Sequence, residues 1–234
     1  MGVGARCRGT SGGWCHEADV SGLLLFSPAL KSRVGIDWVA PWVAKAKTWL
    51  RSPDDGDPQQ TPLRYLNVPT NGFAQFYQTS VSARERLAAK AYSKPTLLVT
   101  AAHDSVVDVA YLRSEFPKRF VHPASRMIWY GDIQTPDSRT LAKPDRIEAL
   151  RISQFSHMSV LFSPENPVYG VEGSQRLCWN GQSKDGVAEC ERGAEVWYSD
   201  WGYSENGKYH ARLTFNPYFS WQSDVMDQVL AAAD

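Results

Sequence analysis

Two polar residues stand where apolar runs stop, and both are of types that hold or move protons. The run Thr96-Leu97-Leu98-Val99-Thr100 is nearly continuous in apolar character and ends at Ala101-Ala102-His103-Asp104-Ser105. A run without alternation fits a strand buried on both faces, as in a parallel sheet. Asp104 or Ser105 can cap a following helix, on which Val107, Ala110, Tyr111 and Ser114 share one side. In open α/β sheets, functional groups gather at the carboxyl ends of strands, so Asp104 is either a helix cap or a functional carboxylate. Further along, Arg151 to Phe155 alternates like a strand, and His157 follows its end. A carboxylate that orients an imidazole, and an imidazole that takes a hydroxyl proton, are two parts of an acyl-transfer site. Aspartate before histidine is one chain order in which such sites occur.

The third part of such a site is a hydroxyl. Gly9-Thr10-Ser11-Gly12-Gly13 matches G-x-S-x-G, a sharp strand-to-helix turn that projects a serine. Ser11 is therefore the candidate nucleophile, and the Gly12 N–H is the candidate oxyanion donor. The surroundings oppose the match. Residues 1–8, MGVGARCR, make a poor buried strand, and only Trp14 to Val20 precede the next apolar run. A parallel crossover needs about a dozen residues or more. The alternative is a Gly-rich segment that fits the pattern by chance.

Several elements must position these residues. Val20 to Leu30 reads as a buried strand running into a turn at Ser27-Pro28. From Ile36 to Ala91, Trp38, Val39, Trp42, Val43, Trp49 and Leu50 fall at helical spacing. A polar loop, RSPDDGDPQQTP, separates them from a second helix over Gly72 to Lys90 that carries Phe73, Phe76, Tyr77 and Val81. Such stripes either pack in a core or line an apolar pocket. Met127 to Tyr130 is a further strand. Leu177 to Tyr209 reads as irregular or hairpin structure. Asn216-Pro217 opens a closing helix with Tyr218, Trp221, Val225 and Val229 on its buried side.

Three of these segments, Leu23 to Ala29, Lys94 to Ser105 and Ser156 to Gly170, resemble the C-terminal half of an α/β-hydrolase. The resemblance is to the bacterial carboxylesterase, lysophospholipase and monoacylglycerol-lipase-like group, and it covers Val20 to Gly170. It implies an α/β fold with a mostly parallel sheet and a helical cap inserted over residues 36–92. It also implies a serine hydrolase acting on small-molecule or lipid carboxylic esters, with Asp104 orienting His157 as general base and then general acid. In that family, strands precede the nucleophile turn, and one of their loops supplies a second oxyanion donor. Nothing here corresponds to them. The expectation is one domain, 1–234, incomplete at its N-terminus, with an atypical segment over 1–19 and weak or lost activity. An uncovered sheet edge would then favour self-association. A non-catalytic remnant that binds a partner is the alternative. A carbohydrate-binding surface of Trp179, Trp197, Tyr198, Trp201 and Tyr203 is a third reading.

Composition narrows the rest. The chain has 234 residues, 43% of them apolar, enough for a substantial core, and its formal net charge is zero. Overall charge therefore gives no reason to expect nucleic acid or an anionic membrane as partner. No apolar run approaches the ~20 residues of a membrane span. Arg6 and Arg8 interrupt any signal-peptide apolar region. As given, the chain reads as cytoplasmic; a missing native N-terminus would leave the envelope or exterior open. No Cys/His spacing resembles a zinc site, and Asp54-Asp55-Gly56-Asp57 lacks a calcium-loop glutamate, so neither metal nor cofactor is expected. Cys178 and Cys190 bracket a polar stretch, WNGQSKDGVAE, and are expected to form a disulfide in oxidising conditions; two free thiols are the alternative.

Overall fold

The apolar runs assemble as a sheet. A computed structural model describes residues 2–7, 20–52, 67–132 and 137–233. Within them, β1 (Gly2–Cys7), β2 (Val20–Phe26), β3 (Thr96–Ala101), β4 (Arg126–Tyr130) and β5 (Thr140–Lys143) lie side by side in chain order. β2, β3, β4 and β5 are parallel, and β1 is antiparallel to β2. Every residue of β3 is buried. Leu97, Val99 and Ala101 join Ile128 and Tyr130 in one cluster with Val225 and Val229 of α5 (Phe219–Ala231). Leu98, Met127 and Trp129 face the other way, onto Leu112 and Phe116 of α3 (Val109–Arg119). Helices thus cover both faces, which is why the β3 sequence does not alternate. Between β2 and β3 lie α1 (Ala40–Ala46) and α2 (Thr70–Ala89).

Several expectations need correction. Arg151 to Phe155 is not a strand. A 3-10 turn over Glu148–Leu150 ends at Arg151, whose φ is 52°, and only Ile152 bridges, to Ile147 and to Tyr198. Residues 177–209 hold no hairpin. They contain α4 (Lys184–Glu191) and β6 (Val196–Ser199), and β6 pairs in parallel with β7 (Tyr209–Arg212). The start of the chain, expected to lie outside the sheet, supplies β1, which covers the edge of β2 that was expected to be bare. The aromatic stripe of the first cap helix is not core: Trp38 and Trp42 are 56% and 67% exposed. Trp42 instead carries Lys45 over its ring.

The closing helix is fixed by a buried polar network as well as by its apolar face. Tyr130 Oη donates to Gln222 Oε1 at 2.9 Å, and Asn216 Nδ2 donates to Tyr130 Oη at 2.9 Å. Gln222 Nε2 donates to the Val160 carbonyl at 3.0 Å. These bonds join β4, α5 and the loop after His157 in one satisfied cluster. Burial holds the Tyr130 hydroxyl far above its ordinary range. Satisfied networks of this kind specify a single packing, and a deletion within one leaves unpaired groups.

Cys178 and Cys190 are disulfide-bonded, with Cα atoms 5.7 Å apart. The bond ties the strand of chain before α4 to that helix's last turn, inside a small cluster of Val187, Val196 and Ala211. Ser183 caps α4 by accepting from the Gly186 N–H.

Urea unfolding and thiol labelling test these contacts. Tyr130→Phe removes one hydroxyl and leaves Asn216 and Gln222 short of a partner, so it should cost about 1–3 kcal/mol. Tyr209→Phe, at an exposed site, should stay within ~0.5 kcal/mol. Reducing the disulfide should cost roughly 3 kcal/mol, and alkylation of the unfolded, unreduced chain should leave Cys178 and Cys190 unlabelled.

Candidate active site

The carboxyl ends of the parallel strands converge, and polar groups collect there. Ser27 follows β2, and its N–H donates to the Val99 carbonyl of β3 at 2.8 Å. The Ala102 N–H, just past β3, donates to Tyr130 at the end of β4, and the Gly131 N–H donates to Lys143 at the end of β5. Asp104 therefore leaves the sheet at its carboxyl edge, where an open α/β sheet places its ligands.

Asp104 is 1% exposed, and both its oxygens are occupied. Oδ1 accepts from the Val106 and Val107 N–H groups at 2.8 and 3.1 Å. Oδ2 lies 2.7 Å from His157 Nδ1. Asp104 does not cap α3, and neither does Ser105: Asp108 does, with Oδ1 accepting from the Tyr111 N–H at 2.9 Å. α3 consequently starts later than its sequence suggests. Val107 is buried in the loop, Leu112 and Phe116 form the packed side, and Ala110 and Ser114 face out.

His157 sits in a tight loop made by its serine neighbours. Ser156 Oγ donates to the Leu213 carbonyl at 2.5 Å and accepts from the Met158 N–H at 3.1 Å. Ser159 Oγ donates back to the Ser156 carbonyl at 2.7 Å. Both serines are fully buried, while the His157 side chain keeps 17% of its surface exposed. Ser27 supports the loop from below. It is buried, has a φ of 41°, and its Oγ donates to the His157 carbonyl at 3.4 Å. With Nδ1–H directed to Asp104, Nε2 is the basic nitrogen. It has no hydrogen-bond partner among the described residues.

Ser11 and Gly12 lie outside the described residues. The strand before them runs antiparallel to β2, with Cys7 opposite Val20. Cys7 therefore stands at the amino end of β2, away from the edge that carries Asp104 and His157.

The site also holds two carboxylates that the sequence reading missed. Asp145 follows β5 and lies 2.6 Å from His103 Nδ1, making a second His–Asp pair one residue from Asp104. That hydrogen bond raises the His103 pKa above its ordinary 6.5, against a smaller opposing effect of burial; Asp145, Asp200 and Asp132 all add to it through their charge. Asp200 follows β6, is buried, and accepts from Ser105 Oγ at 3.2 Å. Burial, and secondarily the nearby Asp104 charge, push its carboxyl up. Each of these residues obeys the same rule as Asp104, a carboxylate directly after a strand. Their strands are only four residues long, too short to stand out.

No family model, curated protein or solved structure matches the chain. Among the described residues, no group of His, Cys, Asp and Glu could hold a metal ion, and no helix is long and apolar enough to cross a membrane.

The second pair gives a pH test with a definite sign. A histidine whose folded pKa is raised stabilises the fold below its unfolded pKa and loses that contribution as pH rises through the folded value. His103 should titrate above 6.5 by NMR, and Asp145→Asn should bring it down. Wild type should exceed Asp145→Asn in stability by more at pH 6 than at pH 8.5. The gain should stay under about 1 kcal/mol, because the imidazole is half-exposed.

Proposed function

We propose that the chain is an α/β-hydrolase-like carboxylic-ester hydrolase of weak activity, with His157 as its proton-transfer group and Asp104 as the carboxylate that orients it. The observation that carries this reading is the 2.7 Å contact between a fully buried carboxylate and a partly open imidazole, at the carboxyl edge of a parallel sheet and in the order aspartate, then histidine. In the proposed reaction, His157 Nε2 takes the proton of a serine hydroxyl as the oxygen bonds to the ester carbonyl carbon. It then returns that proton to the departing alkoxide. Water repeats the sequence to release the acid. Asp104 stays ionised throughout and stabilises the imidazolium formed in each half. The sequence motif nominates Ser11 as the hydroxyl and the Gly12 N–H as one oxyanion donor. Weakness follows from positioning, since a nucleophile displaced by ~1 Å can lose ~100-fold in rate.

The test is p-nitrophenyl acetate hydrolysis together with fluorophosphonate labelling. Slow turnover is expected. His157→Ala and Asp104→Asn should each lower it by about 100-fold, the ordinary worth of general acid–base catalysis. Ser11→Ala should lower it at least as far if Ser11 is that hydroxyl, and a small effect would assign the hydroxyl to another serine. Turnover undiminished in His157→Ala, with no labelled serine, would leave the non-catalytic partner-binding reading in its place. Fast turnover abolished by Ser11→Ala would show that the turn at Ser11 forms and is productive.

A further inference from the structure

Asp104 borders a second feature besides His157. An open cleft of about 450 Å³ lies against it, lined also by Arg33, His103, Gln154, Asp200, Trp201 and Tyr203. The cleft is polar, and its charged groups are already engaged. Asp104 is paired with His157, and Asp108 at the rim is paired with Lys31 at 2.8 Å. His103 is held by Asp145, Arg33 Nη1 donates to the Asp104 carbonyl at 3.4 Å, and the Asp200 carboxyl accepts from Ser105 Oγ. Each charged group of the lining has a partner of its own, so none is held ready for an ionic ligand. Donors and acceptors for a neutral ligand are plentiful: Gln154, the Arg33 guanidinium, the Asp200 carboxyl and the outer nitrogen of His103.

One wall is aromatic and held in place. Trp201 is 40% exposed. Arg212 lies 4.7 Å from its ring centroid, and Trp179 meets it edge-on at 6.0 Å. The turn that carries it is anchored to the disulfide-bonded unit. Asn180 Nδ2 donates to the Asp200 carbonyl at 2.9 Å, and the Gly202 N–H donates to the Asn180 carbonyl at 3.0 Å. At Gly181 a Cβ would stand 2.8 Å from Gly202 Cα, so the two turns meet backbone to backbone. The other aromatic residues of this region are otherwise engaged. Lys208 covers the Trp197 ring at 3.2 Å, and Tyr198 packs against Phe215 at 5.3 Å.

We propose that this cleft binds a neutral sugar ring, seated against Trp201 and Tyr203 and hydrogen-bonded through its hydroxyls to Gln154, His103, Arg33 and Asp200. A pyranose has one face of weakly positive C–H groups, which suits the negative face of an aromatic ring. Its edge carries several hydroxyls, each a donor and an acceptor, which suits convergent polar groups of mixed type. The binding needs only the cleft and is independent of ester hydrolysis. Where both hold, the sharing of Asp104 narrows the ester class to acylated sugars.

Saturation-transfer NMR and calorimetry with the full chain test this, using cellobiose and the methyl glycosides of glucose, galactose and mannose. At least one should bind saturably with a millimolar Kd, the range of a small ligand in an open site. Trp201→Ala should weaken that binding about 5- to 10-fold. Gln154→Ala, at a residue without structural hydrogen bonds of its own among the described residues, guards against misfolding and should weaken it several-fold. Binding is read without turnover, which separates this result from any loss of hydrolysis. Absence of saturable binding to every probe overturns the proposal. So does binding unchanged in both Trp201→Ala and Gln154→Ala.

Discussion

One buried carboxylate governs the carboxyl edge of the sheet. Asp104 is fully enclosed, and an ionised group there is tolerable only if both its oxygens find donors. Two backbone N–H groups and one imidazole supply them. The first two fix the loop between β3 and α3, because Val106 and Val107 must turn back to reach Oδ1. The third fixes His157, because its ring must turn Nδ1 inward. Removing the carboxylate would release the loop and the imidazole together. That makes Asp104 the point on which sheet, helix and candidate site jointly depend.

The elements around it serve that constraint. Ser156 and Ser159 wind the His157 loop, and Ser27 holds its carbonyl from the neighbouring strand. The Tyr130–Gln222–Asn216 network pins α5 to the same loop through the Val160 carbonyl. On the far side, the disulfide-bonded unit delivers Asp200 and Trp201 to the edge of the cleft. It is joined to the segment after β5: Ile152 bridges to Tyr198, the Tyr198 N–H donates to the Arg151 carbonyl at 2.7 Å, and the Ser153 N–H donates to the Tyr198 carbonyl at 2.8 Å. A small unit with a modest core gains most from a covalent staple. The Cys178–Cys190 bond therefore also supports the aromatic wall.

What could be read from the sequence divides along physical lines. β2, β3 and β4 were legible because burial on both faces writes a continuous apolar run. Asp104 was legible because strand end, carboxylate and turn follow each other locally, whereas His157 was singled out by a strand that does not form. The supposed strand at Arg151 to Phe155 misled because Ile152 and Phe155 reach the core from a turn, not from a pleat. Alternation alone cannot tell these apart. The phase of α3 was misread because Asp108, not Asp104, caps it, and a shift of the cap rotates the whole apolar face. The parallel pairing of β6 and β7 depends on a bridge to Ile152 that no local pattern announces. Asp145 and Asp200 went unseen because the strands before them are only four residues long and carry no long apolar run.

The tautomer of His157 bears most directly on the functional role given to this pair. Nitrogen-15 NMR of the neutral imidazole reads it without any need for turnover. The account predicts a protonated Nδ1, with its proton shifted downfield by the Asp104 carboxylate, and an unprotonated Nε2. Asp104→Asn should abolish the downfield resonance. A His157 protonated on Nε2 in the wild-type chain, or a spectrum indifferent to Asp104→Asn, would contradict it.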